Sequence, residues 1–216
     1  MQSGLEQTYR RHHGRARKTD QSILTKERSA WLQKWIGKEK NVLDIGCRDG
    51  ELSKHYAEGN RVLGLDIDQV ALDRAAEKTG MDIKQVDLHA DWGVENNHYD
   101  VVVACEVLEH LYHTPVVLEK INHALKSGGL IVGTIPHAFS LQVRIKFLFG
   151  IKASTPLSDP THINHFSFKE FKGLLSQQFT DLEFSLITTP RYRALSKIFP
   201  SLFAHTIMFK GRKTNT

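Results

Sequence analysis

The sequence predicts a doubly wound α/β fold, in which helices cover both faces of a mostly parallel sheet. From residue 41 onwards, short β-branched apolar runs alternate with amphipathic helical patterns, which is typical of successive βαβ units. The chain has 216 residues, of which 40% are hydrophobic and 25% charged, and this suits one globular domain rather than two. We therefore expect a single domain over residues 1–216 with a Rossmann-like sheet.

Seven apolar runs have the length of strands. The first five are short and β-branched, as buried parallel strands are, and the last two predict an antiparallel hairpin with an antiparallel C-terminal edge strand. The runs are Asn41–Ile45, Arg61–Leu65, Asp82–Val86, Tyr99–Ala104, Leu130–Ile135, Leu182–Ile187 and Thr206–Lys210. Together they predict a seven-stranded sheet.

Helices are predicted before and between these strands. Gln21–Ile36 carries apolar residues at spacings that suit a helix packed on the sheet, and a second helix is expected to begin near Glu51. Large apolar residues on most faces predict a short helix within residues 141–150.

Two helix starts carry specific signals. Thr114 can cap a helix that has Pro115 at its first position, and Gly128 is expected to stop that helix. Ser167 and Glu170 have the spacing of a capping box, in which two side chains satisfy N–H groups of the first turn. A helix is therefore expected to follow Ser167.

Charge is segregated along the chain. Residues 1–40 carry ten Lys/Arg against four Asp/Glu, residues 41–136 eight against sixteen, and residues 137–216 eleven against four. Basic outer segments would attract an anionic substrate if they frame it, and they are otherwise an ordinary solvated surface. Residues 1–20 are basic and have no apolar periodicity, which predicts a mobile tail.

No segment resembles a membrane span or a secretory signal. The longest purely apolar run, Val101–Cys105, is far below the roughly 20 residues that a bilayer helix needs. Cys47 and Cys105 lie in hydrophobic contexts, which favours buried free thiols over a disulfide. We therefore expect a cytoplasmic protein.

The first strand runs into a glycine-bearing turn that predicts a site for a nucleotide-like ligand. Gly46 in this turn lets the backbone approach a ligand closely. Asp66 lies 22 residues after Asp44, at the end of the second strand, and this spacing suits a carboxylate that accepts hydrogen bonds from a ribose diol. Asp87 follows the third strand, where it is placed to accept from an adenine amine, with Leu88 as an apolar contact.

On these residues the sequence resembles class I S-adenosylmethionine-dependent methyltransferases, over about residues 40–136. The resemblance implies that S-adenosylmethionine binds with its methionine part at the glycine turn, its ribose at Asp66, its adenine at Asp87, and its methyl group near Cys105 and Glu106. The residues that it assigns to cofactor binding are Asp44, Gly46, Cys47, Gly50, Asp66, Ile67, Asp87, Leu88 and Cys105.

One position departs from the pattern of that family. The usual run is acid-x-Gly-x-Gly-x-Gly, and Arg48 stands where the middle glycine is expected. Its side chain either crowds the cofactor, points to solvent or pairs with the methionine carboxylate. A nicotinamide dehydrogenase is disfavoured, because Gly50 follows Gly46 by four positions and the spacing G-x-G-x-x-G is not met.

A run of the form E-x-x-E-H follows the fourth strand at the same edge of the sheet. On a helical turn, Glu106, Glu109 and His110 fall on one face, which would bring together two carboxylates and an imidazole. Such a cluster can deprotonate an acceptor hydroxyl or bind a divalent ion.

This run is similar to the one with which ubiquinone-pathway O-methyltransferases bind magnesium. It also resembles the metal site of small-RNA 3′-terminal ribose methyltransferases, and that resemblance implies His165 as a fourth ligand beside Glu106, Glu109 and His110. Mixed Glu and His ligation favours manganese or iron over magnesium. Three alternatives stay open: a Mg or Mn site, a base that needs no metal, and a histidine that merely packs.

The resemblance implies that residues 137–166 are a lid and acceptor-binding insertion, because the family commonly places a lid between the fifth and sixth strands. The large apolar residues of 141–150 are typical of an ordinary helix over the core, and the alternative is that, together with Arg191, Arg193 and Phe199–Phe203, they make weak contact with a membrane surface or a lipid-linked substrate. Three histidines are expected to line the acceptor side: His137, His162 and His165.

The residues and the resemblance together predict O-methylation of a hydroxyl on a small polar or anionic acceptor, such as a sugar, a quinol or a secondary metabolite. His110 is expected to act as base or ligand, supported by Glu106 and Glu109. Two alternatives remain. One is a metal-dependent RNA ribose 2′-O-methyltransferase, suggested by the basic run Arg10–Lys18, and the other is a non-catalytic subunit that binds the cofactor as a regulator.

Overall fold

The computed structural model describes Gly4, residues 21–188 and residues 190–214, and it describes their side chains except those of residues 21–26, 190 and 200. The expected basic tail, residues 1–20, therefore lies outside the described residues apart from Gly4. Within the described part, the chain forms one sheet with helices packed on both faces.

The sheet has the seven strands that the sequence predicts; β1 has the predicted bounds, β3 is one residue shorter, and the other five are longer, β5 by six residues. They are β1 (Asn41–Ile45), β2 (Arg61–Asp66), β3 (Asp82–Gln85), β4 (Tyr99–Cys105), β5 (Leu125–Pro136), β6 (Phe179–Ile187) and β7 (Thr206–Lys213). Their order is β3-β2-β1-β4-β5-β7-β6. The first five strands pair in parallel, and β7 is antiparallel to both of its neighbours. The C-terminal strand is thus antiparallel as expected, but it lies one position inside the sheet, and β6 forms the edge.

Seven helices surround the sheet in the described part of the chain. They are α1 (Gln21–Ile36), α2 (Gln69–Thr79), α3 (Thr114–Ala124), α4 (Leu141–Leu148), α5 (Phe168–Leu175), α6 (Arg193–Ser196) and α7 (Pro200–Phe203). The capping box of α5 is confirmed, since the Ser167 hydroxyl accepts from the Glu170 N–H and the Glu170 carboxylate accepts from the Ser167 N–H.

Two apolar layers hold the helices against the sheet. On one face, Leu32 of α1 and Leu72 of α2 pack in the same cluster as Val42 of β1. On the other face, Ile121 of α3 and Phe171 of α5 share a cluster with Leu43 and Ile45 of β1, among others. Since successive strand residues point to opposite faces and both faces are covered, the central strands are apolar throughout.

Two helix predictions differ from the structure. The helix expected near Glu51 is reduced to a single tight turn at Ser53–His55, in which the Ser53 hydroxyl donates to the buried Asp44 carboxylate. Helix α3 ends at Ala124 rather than at Gly128, since the next residue already pairs with β4 and begins β5. The Thr114 hydroxyl donates to the carbonyls of residues 108 and 111, so it anchors the preceding turn instead of capping α3.

Among the described residues, none of the helices has both the length and the apolar character that crossing a bilayer requires.

Candidate active site

Three neighbouring strands end side by side at one edge of the sheet: β1 before Gly46, β2 at Asp66 and β4 at Cys105. Gly46 has a φ of +69°, and a Cβ on it would lie 2.6 Å from a methyl carbon of Val107. This position therefore excludes every other side chain. The glycine couples the turn after β1 to the loop after β4.

The Asp66 carboxylate is fixed at this edge by two backbone N–H groups. One oxygen accepts from Arg48 and the other from Asp68, both at 2.9 Å. Asp66 thus lies at the end of β2, where the sequence predicts the carboxylate for the ribose diol. Arg48 has a φ of 52°, the left-handed conformation that glycine adopts at no cost. This backbone shape is the physical reason why a glycine is usual at that position.

Asp44 is buried below the glycine turn and holds it in place. One of its oxygens accepts from the Ser53 hydroxyl at 2.6 Å and from the Tyr56 hydroxyl at 2.7 Å. Burial raises the pKa of Asp44 from 3.8 to about 6, against the opposing effect of these two hydrogen bonds. Gly50, with a φ of +69°, packs closely on α2, where a Cβ would lie 3.1 Å from the Cα of Ala75.

The remaining expected cofactor residues follow the second and third strands. The Gln85 side-chain amide donates to the carbonyl of Ile67 at 2.9 Å, which ties the two loops together. Asp87 accepts from the His89 N–H at 2.9 Å and so shapes a tight turn, and Leu88 is buried beside it. Since β1 to β4 are parallel, these residues lie at the same edge as Gly46 and Asp66.

Both cysteines are free thiols near this edge. Burial raises the pKa of Cys105 to about 12, and it raises the pKa of Cys47 further. Both thiols therefore stay protonated at neutral pH, and neither is suited to act as a nucleophile.

Glu106 is paired with a basic residue of helix α1. Its φ of 52° reverses the chain directly after β4, and the following turn includes only Leu108–His110. A carboxylate oxygen of Glu106 lies 3.3 Å from a guanidinium nitrogen of Arg28 on α1. The helical turn expected over residues 106–110 is therefore not formed, and Glu106 pairs with a basic residue instead.

Glu109 is the most deeply buried acid of this site, with 1% of its surface exposed. Neither of its carboxylate oxygens has a hydrogen-bond partner among the described residues. Burial raises the pKa of Glu109 well above its usual range, and the neighbouring Glu106 charge adds to this rise. Burying a charged carboxylate that has no hydrogen-bond donor costs free energy, unless a proton or a cation neutralises its charge.

Two backbone carbonyls fix the histidines beside Glu109. The Nδ1 of His110 lies 2.8 Å from the carbonyl oxygen of Thr161, and the Nδ1 of His162 lies 2.9 Å from that of Pro156. Because a carbonyl only accepts, each Nδ1 carries the proton when the ring is neutral, and each Nε2 presents a lone pair. The two rings meet edge to face with centroids 4.7 Å apart.

Glu109, His110 and His162 form one compact donor group. One ligand-type atom of each lies within 4.8 Å of those of the other two. This group differs from the expected set, because it takes His162 rather than His165 and leaves out Glu106. His137 is not part of this donor group. It is buried against the segment before β7, with its Nδ1 3.3 Å from the carbonyl of Ala204.

The segment that carries His162 is docked on the E-x-x-E-H run by main-chain bonds. The carbonyl of Glu109 accepts from the N–H groups of Ile163 and Asn164, both at 2.9 Å. The Asn164 amide also donates to the carbonyl of Leu111. Arg28 and Asn164 are thus site residues that the sequence did not indicate, because only the packing of α1 and of residues 159–166 brings them here.

The pattern of a known family covers most of this chain. The family described as "Methyltransferase domain" matches residues 13–180, which include the glycine turn, the E-x-x-E-H run and the His162 segment. The chain belongs to this family. The recognition from the sequence is therefore confirmed, and the fold is that of the class I S-adenosylmethionine-dependent methyltransferases.

Curated relatives of this methyltransferase share about half of its length. The ubiquinone biosynthesis O-methyltransferase of Shewanella pealeana is 36% identical over 100 residues, which are 43% of this chain and 42% of that protein. The protein of the same name from Leptothrix cholodnii is 29% identical over 126 residues, which are 52% of this chain and 54% of that protein. The chain thus spans about half the length of the curated relatives it matches.

Solved structures share the fold over nearly the whole chain. A SAM-dependent methyltransferase from Archaeoglobus fulgidus aligns with a TM-score of 0.65 at 20% identity, covering 88% of this chain and 94% of that one. A phosphoethanolamine N-methyltransferase from Haemonchus contortus, in complex with S-adenosyl-L-methionine, aligns with a TM-score of 0.67 at 16% identity, covering 88% and 53%. At these identities the similarity shows the fold alone.

Proposed function

We propose that this chain transfers the methyl group of S-adenosylmethionine to a hydroxyl oxygen of a small acceptor, with His110 as the general base. The observation that carries the proposal is that His110 holds its Nδ1 2.8 Å from the Thr161 carbonyl at the carboxyl edge of the sheet, since this contact puts the proton of the neutral ring on Nδ1. Its Nε2 presents a lone pair, and the Thr161 carbonyl stabilises the imidazolium that forms when this nitrogen takes the hydroxyl proton. The names of the curated relatives support a hydroxyl acceptor, and a quinol is the acceptor class they favour.

The residues around the glycine turn fit S-adenosylmethionine. Asp66 is held at the end of β2 by two backbone N–H groups, where its carboxylate can meet the ribose hydroxyls, and the Gly46 turn keeps backbone rather than side chains beside the methionine part. Asp87 is placed to accept from the adenine amine. When bound, the cofactor supplies an activated methyl carbon, and the task of this chain is to position the acceptor and remove its proton.

A second candidate is the same reaction with a divalent cation at Glu109, His110 and His162. The unpartnered, buried carboxylate of Glu109 favours it, since a cation would complete that group. The backbone carbonyls that hold both Nδ1 atoms act as the orienting partners that ligating histidines usually have. Two imidazoles and one carboxylate favour Mn over Mg, and a bound cation would lower the pKa of an acceptor hydroxyl.

The first test compares His110→Gln with His123→Gln, a matched change at an exposed histidine on α3. Removal of the base should lower turnover of a catechol-type acceptor by about 10²- to 10⁴-fold. The affinity for S-adenosylhomocysteine, measured by calorimetry, should stay unchanged in both variants. Equal turnover in the two variants would refute the role of His110, and failure of the unchanged protein to bind S-adenosylhomocysteine would refute the whole proposal.

The second test separates the base from the cation. After dialysis against a chelator, Mn²⁺ is added and its binding is followed by electron paramagnetic resonance. A cation site predicts one bound Mn²⁺ that is lost in Glu109→Gln and His162→Gln but kept in His123→Gln. Absence of bound Mn²⁺, with turnover intact in the dialysed protein, would leave His110 as a base without metal.

A further inference from the structure

Two neighbouring segments expose large apolar side chains among basic ones. They are residues 141–152, which include α4, and residues 191–199, which include α6, and we call them the basic-apolar surface. The exposed fractions of the apolar side chains lie between 46% and 83%. These side chains are Ile145, Leu148, Phe149, Ile151, Leu195, Ile198 and Phe199. A folded domain does not leave so many large apolar groups in water without a partner for them.

The chain brings these two segments together. His137 precedes α4 and His205 precedes β7, and the N–H of His137 donates to the carbonyl of His205 at 2.8 Å. Helix α4 contacts α7, and α7 contacts α6. The ring of Tyr192 stacks on that of Phe203 with centroids 5.6 Å apart, which holds residues 191–199 against α7. The two segments are therefore linked to each other through α7.

The charge of this surface has a single sign. The two segments contain six basic residues and no acidic one: Arg144, Lys146, Lys152, Arg191, Arg193 and Lys197. Arg193 is paired with Glu27 of α1, at 3.4 Å and in an exposed position, where such a pair contributes little. The partner of this surface must therefore tolerate, or be attracted by, a concentrated positive charge.

We propose that the basic-apolar surface docks on an anionic lipid bilayer. Leucine, isoleucine and phenylalanine side chains can enter the acyl boundary, while the lysine and arginine heads remain among the lipid phosphates. A second copy of this chain is disfavoured as the partner, because a symmetric contact would set the same six cations against each other. None of the described helices can span the bilayer, so the contact is peripheral.

The position of the surface gives it a role in acceptor supply. The segment 137–166 includes α4 and also delivers His162 to the donor group. An acceptor that partitions into the bilayer would therefore be presented close to His110. This last step rests on the proposed methyl transfer, whereas docking on the bilayer does not.

The experiment is cosedimentation with vesicles of phosphatidylcholine alone and of phosphatidylcholine with an equal amount of phosphatidylglycerol. The full chain should bind the anionic vesicles only, and binding should fall in about 0.5 M NaCl because salt screens the charges. The variant Leu148→Ser/Phe149→Ser should bind at least about tenfold more weakly, since two inserted apolar side chains are lost. The matched variant Val116→Ser, at an exposed apolar residue of α3, should bind like the unchanged protein.

A charge control tests whether the location matters. Arg144→Ala/Lys152→Ala should weaken binding to the anionic vesicles, and Lys169→Ala/Lys172→Ala, which removes two exposed lysines of α5, should not. Equal loss in both charge variants, or unchanged binding in Leu148→Ser/Phe149→Ser, would overturn the proposal. Dimerisation of the unchanged protein that is abolished only in Leu148→Ser/Phe149→Ser, seen by sedimentation velocity, would also overturn it.

The affinity for S-adenosylhomocysteine is measured on the same samples. It separates failure of docking on the bilayer from failure of the proposed function.

Discussion

At the scale of single residues, backbone geometry explains why two positions of the glycine turn differ. Gly46 and Arg48 both have positive φ, yet only Gly46 also faces a side chain that leaves no room for a Cβ. The sequence therefore tolerates an arginine at position 48, at the cost of a left-handed residue, and requires a glycine at position 46.

We expect Gly46→Ala to destabilise the fold by about 2–4 kcal/mol, because the new Cβ meets Val107 at a strained φ. Gly37→Ala is the control, since Gly37 has a φ of +75° but no atom near its Cβ position. It should cost about 1 kcal/mol from the backbone conformation alone. Urea unfolding measures both. Equal losses would show that contact with Val107 contributes nothing.

The buried carboxylate of Asp44 makes stability depend on pH. Its pKa is about 6 in the folded protein and 3.8 ordinarily, so the folded state binds the proton more tightly. Its contribution to stability is full below pH 3.8 and is lost as the pH rises through 6, by about 3 kcal/mol in all. In Asp44→Asn this loss should vanish. The measurement is the difference in unfolding free energy between the two proteins from pH 4 to pH 7, and a constant difference would contradict the raised pKa.

At the scale of elements, the site depends on one irregular segment docked on another. Residues 159–166 have little regular structure, and main-chain bonds to Glu109 and the Asn164 side chain hold them against the turn after β4. Removing the Asn164 amide should therefore change the position of His162 more than it changes the fold.

We expect Asn164→Ala to cost about 1–2 kcal/mol of stability and to lower turnover, with unchanged affinity for S-adenosylhomocysteine. Asn122→Ala is the matched control, because the Asn122 amide also donates to a backbone carbonyl, that of Gln178, at 2.8 Å. It should cost similar stability and leave turnover unchanged. Similar turnover in both variants would argue against a positioning role for the segment.

At the scale of the whole molecule, the cofactor site exists only when the sheet is formed. It collects loops from the ends of β1, β2, β3 and β4, so a ligand held there binds the folded state and not the unfolded chain.

S-Adenosylhomocysteine at 100 times its Kd should therefore raise the unfolding free energy by about 2.7 kcal/mol. NAD, which also contains adenine and ribose, is the control and should leave the thermal midpoint unchanged. Stabilisation by NAD alone would contradict the cofactor assignment.

The sequence by itself determined the class of the fold, the seven strands and the glycine turn. These depend on local properties: runs of β-branched residues, a period in the apolar pattern, and a fixed spacing between Asp44 and Asp66. It also indicated the E-x-x-E-H run, since that motif is contiguous.

Which of these polar residues lie close together depends on the tertiary structure. Glu106 turns towards Arg28, His162 rather than His165 joins Glu109 and His110, and β7 enters the sheet inside β6. Each of these outcomes depends on contacts between residues far apart in the chain. A positive φ at one residue or a single hydrogen bond from a side chain to a distant backbone carbonyl redirects a side chain there, and no local pattern carries that information.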